Sequence, residues 1–285
     1  MQMQPTTRRE LLAGLAAAPF CAMAQSPWTM RLSTSSLLYE KLGVEPACQR
    51  VAKLGFRSID IWAKFAHCTH LEEAKANYGP ERTVKMLSKA GLDLAAVSVY
   101  GPGYQPFAEF LGRMGGGTAV RGSEKKSSTN LTAAMKAFLE RLKPEIDLAA
   151  ASHSRLAIEN HSGDATLLNR LDSFKAFTDL NQSPHLGIAL APYHIQLNRE
   201  SVEEAIRICG SQMFFFYAWQ WGKGLAQLPG HGPTDFRPWI AALAKARYAG
   251  PVNVFLHGEL EPDEVDSALT KSLAYMKECY SNTVK

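Results

Sequence analysis

Leu156-Ala157-Ile158-Glu159-Asn160-His161 joins an apolar, strand-like run to a carboxylate, an amide and an imidazole. A carboxylate at the end of a buried strand costs much free energy to desolvate unless it meets a partner. In barrel enzymes, the ends of the strands are where the chemistry occurs. We therefore expect Glu159 to be the first residue of a functional site.

Strand-like and helix-like segments alternate on both sides of this stretch. The predicted strands comprise residues 30–34, 57–62, 92–99, 118–122, 155–159, 185–190, 213–219 and 252–256. The predicted helices comprise residues 46–54, 80–90, 131–151, 173–180, 202–209, 234–248 and 263–279, with a long loop over 100–117. Eight strands at this spacing predict an α/β fold, a single-domain (β/α)8 TIM barrel.

Glycine and proline residues mark the ends of several predicted elements. Gly55 and Gly91 suit the position just after a helix, and Pro144 predicts a kink or a break in the helix over 131–151.

The alternative fold is an open, doubly wound sheet. It is disfavoured because Ser35-Ser36-Leu37 follows the first strand, where that fold places a glycine-rich phosphate loop.

The amino-terminal residues are typical of an export signal. Thr6-Thr7-Arg8-Arg9-Glu10-Leu11-Leu12 resembles a twin-arginine motif, and Ala22-Met23-Ala24 is a small-x-small cleavage site. The apolar run between them is too short to span a bilayer as a stable helix. We therefore predict a signal peptide over residues 1–24, a barrel domain over 25–285, and a periplasmic protein without stable membrane insertion after cleavage. An uncleaved membrane anchor is the alternative.

The composition argues against a nucleic-acid partner. The net charge is only +4, from 31 Lys and Arg against 27 Asp and Glu, and no basic stripe is visible.

Cys48, Cys209 and Cys279 lie in helical patterns and are typical of small buried side chains. A disulfide is compatible with export, but the cysteine spacing demands none. The sequence does not indicate an oligomeric state.

The ends of the predicted strands collect most of the titratable candidates. Six of the eight histidines fall there: His67, His70, His161, His194, His231 and His257. Glu159, His194 and His257 are the candidate catalytic residues. The candidate substrate-binding residues also lie at strand ends: Trp62, His70, Tyr100, Arg121, Asn160, His161, Tyr193, Tyr217, Gln220, His231 and Glu259. The aromatic residues either stack on a sugar or roof the core, and Arg121 either binds substrate or pairs with a structural carboxylate.

Three motifs resemble the xylose isomerase-like sugar phosphate isomerase/epimerase superfamily. They are Gly55-Phe56-x-x-Ile59-Asp60-Ile61-Trp62, Ile158-Glu159-Asn160-His161 and Leu228-Pro229-Gly230-His231-Gly232-Pro233-Thr234-Asp235-Phe236. Their order and spacing extend the resemblance over essentially the whole chain after the signal. Members of this superfamily include ketose 3-epimerases, inosose dehydratases, hydroxypyruvate isomerases and, more distantly, DNA-repair endonucleases.

The resemblance implies one divalent metal held by Glu, Asp, His and Glu from strands five to eight. The metal polarises a sugar oxygen, and the two glutamates move the proton at the neighbouring carbon. Here Glu159 matches the first ligand. The strand-six pattern Asp-x-x-His reads Ala191-Pro192-Tyr193-His194, which keeps only the histidine. Tyr217 and Phe255 fall near the other two ligand positions.

Two kinds of site remain open on these residues. A rearranged metal site would use Glu159, His194 and His257, with His161, His231 or Glu259 beside them. Such a donor set suits zinc or iron, with manganese as a further candidate. A site without metal would use Glu159 and a histidine as an acid/base pair.

The function predicted from the resemblance is that of an exported isomerase or epimerase. It would act on a small carbohydrate, a sugar or a keto-sugar, by abstracting a proton next to a carbonyl group. One alternative is a lyase or hydratase acting on 3-keto-glycosides. Another is a non-catalytic carbohydrate-binding barrel that has lost the family metal site. A nuclease is disfavoured because the strand-six Asp and a basic surface are missing.

Overall fold

The computed structural model describes residues 28–284, so the predicted signal peptide and its cleavage site lie outside the described residues. Eight strands run through the described part of the chain. They are β1 (Arg31–Ser35), β2 (Ser58–Trp62), β3 (Asp93–Ser98), β4 (Gly117–Gly122), β5 (Ser154–Glu159), β6 (Leu186–Leu190), β7 (Met213–Ala218) and β8 (Pro251–Val254).

The eight strands form a closed parallel barrel. Each strand pairs with the next one in the chain, and β8 pairs with β1 to complete the ring. Every residue of β2, β6, β7 and β8 is buried, because side chains fill the barrel on one face and helices cover the other. This topology confirms the predicted (β/α)8 TIM barrel.

Helices follow the strands around the outside of the barrel. They are α1 (Val44–Lys53), α2 (His70–Glu73), α3 (Gly79–Ala90), α4 (Ala108–Arg113), α5 (Leu131–Ala151), α6 (Leu171–Leu180), α7 (Pro192–Leu197), α8 (Val202–Cys209), α9 (Arg237–Lys245) and α10 (Pro262–Thr283). Gly91 ends α3 in the left-handed conformation, with φ +73°, as predicted. No helix within residues 28–284 has the length and hydropathy needed to cross a bilayer.

The structure differs from the sequence prediction at three helices. Helix α5 is continuous through Pro144 and does not break in two, because its face around Met135, Phe138 and Leu142 stays buried. Helix α4 lies within the loop predicted over 100–117, and α7 lies where no element was predicted. Each has only six residues, which is too short to display a helical periodicity in the sequence.

Two apolar layers hold the barrel together. The larger layer lies between the strands and the outer helices, and it contains the buried and unpaired Cys48, Cys209 and Cys279. The smaller layer fills the barrel itself and is uneven in side-chain size. Strands β3 to β6 contribute small residues to it: Ala96, Val120, Ala157 and Ala189. Strands β2 and β7 and the residue after β8 contribute large ones, namely Trp62, Phe215, Tyr217 and Phe255.

A buried carboxylate, Asp60, lies inside the barrel on β2. Its Oδ2 accepts hydrogen bonds from Ser35 Oγ at 2.8 Å, from Ser98 Oγ at 3.0 Å and from Trp62 Nε1. Burial raises the pKa of Asp60 to about 6, although these hydrogen bonds act to lower it. The hydrogen bond to the indole fixes the orientation of Trp62, whose ring faces the mouth of the barrel.

Candidate active site

Strand β5 carries Glu159 to the carboxyl end of the barrel. The side chain of Glu159 is almost fully buried, and Asn160 directly after it is completely buried. Both ends of the Asn160 amide bind the backbone of one residue: Nδ2 donates to Ala191 O at 3.1 Å, and Oδ1 accepts from Ala191 N at 2.7 Å. Asn160 therefore joins the end of β5 to the end of β6 and is a positioning residue.

Glu159, His161 and His194 form one compact cluster. One ligand atom from each lies within 4.8 Å of the others. His161 Nε2 is 3.2 Å from Glu159 Oε2, and the rings of His161 and His194 are 5.0 Å apart. The ring of His194 is oriented by Ser162, whose Oγ lies 3.2 Å from Nδ1. The first turn of α7 and the end of β5 thus bring these groups together.

Gly122 at the end of β4 makes room for this cluster. A Cβ atom at this position would lie 2.8 Å from His161 Cε1 and 3.5 Å from Tyr100 Cδ1. These two rings therefore occupy the space that any other side chain would need. Gly122 was not predictable as a site residue, because a glycine at the end of a strand carries no functional group.

The charges within the cluster are coupled. Burial acts to raise the pKa of Glu159, but the hydrogen bond and the charge of His161 leave it below its ordinary value. Burial acts to lower the pKa of His161, but the hydrogen bond and charge of Glu159 raise it overall. For His194, burial dominates and lowers the pKa to about 4. At neutral pH, Glu159 is therefore ionised and His194 is neutral.

Two tyrosine hydroxyls extend the cluster toward β3 and β7. Tyr100 donates a hydrogen bond to Glu159 Oε2 at 2.6 Å, and the Tyr217 hydroxyl lies 3.0 Å from the Tyr100 hydroxyl. Burial raises the pKa of both tyrosines well above the ordinary value. Both hydroxyls stay protonated: the single Tyr100 proton is donated to Glu159, and Tyr217 donates its proton to Tyr100.

Stacked aromatic rings surround the cluster at the mouth of the barrel. Trp62 lies parallel to Tyr100 at 5.0 Å and to Phe255 at 5.5 Å. After the ends of β6 and β7, Tyr193 stacks on Trp219 at 4.2 Å. Trp62 and Trp219 are almost fully buried, so the partly exposed Tyr100 and Tyr193 are the rings that a sugar could contact.

His257 stands among these aromatic rings and not in the ligand cluster. Its ring packs edge-on against Phe255 at 4.8 Å and Trp219 at 5.1 Å. The rings packed around it remove part of its water and lower its pKa, although the residue keeps an exposed surface. The prediction that His257 completes the metal ligands with Glu159 and His194 is therefore corrected: the structure places His161 in that position.

The side chain of Arg121 points away from the mouth. Its neighbours Val120 and Gly122 face the barrel interior, and successive residues of a strand face opposite sides. Arg121 Nη1 instead donates to Glu145 Oε1 of α5 at 2.7 Å. The expectation that Arg121 binds substrate is thus corrected in favour of the alternative, pairing with a structural carboxylate.

Three further predicted residues have structural partners. His70 Nε2 lies 2.8 Å from the backbone oxygen of Leu42, and His231 Nε2 lies 3.0 Å from the backbone oxygen of Ala268 on α10. The Gln220 amide donates to Leu228 O and accepts from the backbone of the loop that follows β7. Gln220 and His231 therefore hold that loop in place, while Glu259 lies exposed on the loop after β8.

The donor chemistry of the cluster fits a divalent cation. Two imidazoles and one carboxylate form a common protein donor set for zinc, with further positions left for water or substrate. A neutral imidazole is the form that binds metal, and burial keeps His194 in that form. Glu159, His161 and His194 are therefore the residues that would hold such an ion.

Comparison with solved structures finds the same fold in two sugar epimerases and in a protein with a bound zinc atom. D-psicose 3-epimerase, solved in the presence of D-fructose, has a TM-score of 0.70 at 16% identity over 88% of this chain and 99% of its own. The 3-keto-D-glucoside 4-epimerase from E. coli has a TM-score of 0.69 at 16% identity over 88% and 100%. The IolI protein with a bound zinc atom has a TM-score of 0.71 at 14% identity over 89% and 99%.

Sequence comparisons give two further results. The curated proteins contain no significant match to this chain. The model of the xylose isomerase-like TIM barrel family matches residues 48–279, which is most of the sequence. The chain therefore belongs to the xylose isomerase-like TIM barrel family.

Proposed function

We propose that this protein is a sugar isomerase or epimerase that moves a proton at the carbon next to a carbonyl group. The observation that carries the proposal is the buried, ionised carboxylate of Glu159, paired with His161 at 3.2 Å inside an aromatic-walled barrel mouth. A carboxylate in such a pocket is a base held ready for a proton. The family and the sugar-acting structural neighbours support this choice of substrate class.

Glu159 would act as the general base. It removes the proton from the carbon next to the carbonyl, and the electrons of the broken C–H bond move onto the carbonyl oxygen as an enediolate forms. The Tyr100 hydroxyl, 2.6 Å from Glu159 Oε2, holds the carboxylate in one orientation. In an isomerisation the same carboxyl group returns the proton to the neighbouring carbon, whereas an epimerisation needs a second acid that protonates the original carbon from the opposite face.

The developing negative charge on oxygen needs a partner. His161, whose pKa is raised beside Glu159, can donate its proton to that oxygen. A divalent cation held by Glu159, His161 and His194 would supply Lewis acidity at the same place. The tyrosine hydroxyls and the stacked rings orient the sugar in either case.

Proton exchange with solvent tests the proposal. The purified protein is incubated in D2O with D-fructose, D-psicose and methyl 3-keto-β-D-glucopyranoside, with and without Zn2+, and deuterium at the carbon next to the carbonyl is followed by NMR. We expect incorporation into at least one of these sugars, lost in Glu159→Gln and retained in Glu109→Gln, a matched change at an exposed carboxylate on α4. Absence of exchange in every sugar would contradict the proposal, and sugar binding without exchange would indicate a binding protein.

A further inference from the structure

Asp60 is a fully buried carboxylate that no step of the proposed proton transfer uses. It lies inside the barrel on β2, where a buried charge costs more free energy than a buried apolar side chain. Its oxygens accept hydrogen bonds from Ser35, Ser98 and Trp62. A serine hydroxyl is one rotatable side-chain bond away from the backbone, so the two serines fix the carboxylate to β1 and β3. The Trp62 indole therefore donates to an acceptor that is itself held in place.

The Trp62 ring lies between two other aromatic rings. It stacks on Tyr100 with ring centres 5.0 Å apart and planes 20° apart, and on Phe255 at 5.5 Å and 9°. Stacking alone would also permit the indole turned over by half a rotation, because both of its faces are apolar. Only one of these orientations points Nε1 at Asp60. The hydrogen bond to Asp60 therefore selects one orientation of the ring on which Tyr100 lies.

Tyr100 transmits this order to Glu159. One face of its ring lies against Trp62, and its hydroxyl donates to Glu159 Oε2 at 2.6 Å. The strength of a hydrogen bond depends on its distance and its angle. A shift of the Tyr100 ring would therefore change both the orientation and the basicity of the Glu159 carboxylate.

Asp60 also holds the strand that leads to Tyr100. Ser98 Oγ lies 3.0 Å from each oxygen of Asp60, and Ser98 is the last residue of β3, two positions before Tyr100. The pairing of β2 with β3 places Ser98 beside Trp62. The carboxylate thus reaches Tyr100 by two routes, one through the indole ring and one through the end of β3.

We propose that Asp60 is a positioning residue for the proton transfer at Glu159, acting on the Tyr100 hydroxyl through Trp62 and the end of β3. The inference rests on the proposed function, because it gives Asp60 a role in the same reaction. Asp60 would act without contacting the sugar, by fixing the hydroxyl that orients the catalytic carboxylate. Loss of Asp60 should therefore slow the reaction while every group that meets the substrate remains present.

A double-mutant cycle on the deuterium exchange rate tests the inference. Asp60→Ala should lower the rate at saturating sugar about tenfold with little change in KM, since the site keeps its sugar contacts but loses catalytic geometry. Tyr100→Phe should also lower the rate. In that background Asp60→Ala should cost less than about twofold more, because the hydroxyl that Asp60 positions is gone. A residue that only stabilises the fold would cause the same loss in both backgrounds. The matched control is Asp93→Ala, an exposed aspartate at the other end of β3, which should leave the rate unchanged.

Two further variants address the indole route and the folding of Asp60→Ala. Trp62→Phe keeps a ring against Tyr100 but removes the N–H donor, so it should show the same lack of additivity with Tyr100→Phe. It takes the place of Asp60→Ala in the cycle if that variant does not fold. Asp60→Asn keeps an oxygen that can accept from the indole and should retain more of the rate than Asp60→Ala.

NMR of protein labelled with 13Cζ-tyrosine tests the same link without turnover. The Tyr100 signal, assigned by its absence in Tyr100→Phe, reports the hydrogen bond of that hydroxyl. It should shift in Asp60→Ala and stay in place in Asp93→Ala. Additive losses in the cycle, or a Tyr100 signal that does not move in Asp60→Ala, would overturn the inference. Absence of exchange by the wild type contradicts the proposed function instead, and the Tyr100 signal then decides whether Asp60 positions that hydroxyl.

Discussion

The two halves of the barrel mouth differ in chemistry. Strands β5 and β6 lead to the titratable cluster of Glu159, His161 and His194, above an interior lined by small side chains. Strands β2, β7 and β8 lead to large rings, with Trp62 and Trp219 among them. The comparison teaches that small interior residues leave space for charged groups to meet, whereas the large rings close the other half and form a wall for a substrate.

The largest effect should follow from removing the base in the titratable half. Glu159→Gln keeps the shape and the hydrogen bond from Tyr100 but cannot accept a proton, so the exchange rate should fall roughly a thousandfold. Tyr217→Phe, in the aromatic half, removes only a hydroxyl and should lower the rate about tenfold. NMR exchange rates measure both, with unchanged thermal unfolding as the control. Equal losses in the two variants would erase the distinction between the halves.

The second prediction concerns the buried carboxylate beneath the aromatic half. The pKa of Asp60 in the folded protein is about 6, above its ordinary value of 3.8. The folded state therefore binds this proton more tightly, and the resulting stability, present below pH 3.8, is lost as the pH rises through 6. Asp60→Asn has no such loss.

Unfolding by urea at pH 4, 5, 6 and 7 measures the free energy of unfolding of Asp60→Asn and of the wild type. Between pH 4 and 7, the difference should move in favour of the variant by on the order of 3 kcal/mol. All other titratable groups are common to both proteins and cancel in the difference. Parallel stability curves for the two proteins would show that Asp60 does not hold a raised pKa.

A smaller effect is expected where the cluster is packed. Gly122→Ala would place a Cβ atom 2.8 Å from His161 Cε1, so the imidazole must shift away from Glu159. The exchange rate should fall about tenfold because a displaced group loses catalytic geometry. The control is Ser128→Ala, on an exposed loop. A second glycine, Gly163, does not serve as the control, because its φ of +101° would add backbone strain to an alanine. An unchanged rate in Gly122→Ala would show that the position of His161 is unimportant.

The smallest effect is expected outside the mouth. Arg121→Met breaks the partly buried ion pair with Glu145 and should lower the free energy of unfolding by about 1 kcal/mol. The exchange rate and the Kd of methyl β-D-glucopyranoside should stay the same, because Arg121 faces α5. A weakened Kd with unchanged stability would instead return Arg121 to the substrate site.

Much of the fold was predictable from the sequence because strand-like and helix-like segments alternate and glycine or proline residues mark their ends. Glu159 was predictable for a different reason, since a carboxylate at the end of an apolar strand is unusual. His161 was predicted as a substrate-binding residue and as a neighbour of the rearranged metal site, but not as one of its three main ligands. Its meeting with His194 depends on the Asn160 amide joining β5 to β6, a contact between segments about 30 residues apart in the chain.

Other features depend on side-chain direction, which sequence spacing alone does not give. Arg121 lies at the end of a strand, but the alternation of the strand turns it outward. Asp60 lies within the motif Gly55-Phe56-x-x-Ile59-Asp60-Ile61-Trp62, where a charged residue in an apolar strand already indicates a buried polar site. Its three donors come from β1, β2 and β3, so only the closed barrel reveals how the charge is accommodated.

Zinc titration by calorimetry tests most directly whether Glu159, His161 and His194 act as one unit. We predict one zinc ion per wild-type chain, binding weakened roughly a hundredfold or more in His161→Ala, and unchanged binding in His257→Ala, because His257 lies outside the ligand cluster. Absence of zinc binding by the wild type, or equal loss in the two histidine variants, would contradict the account.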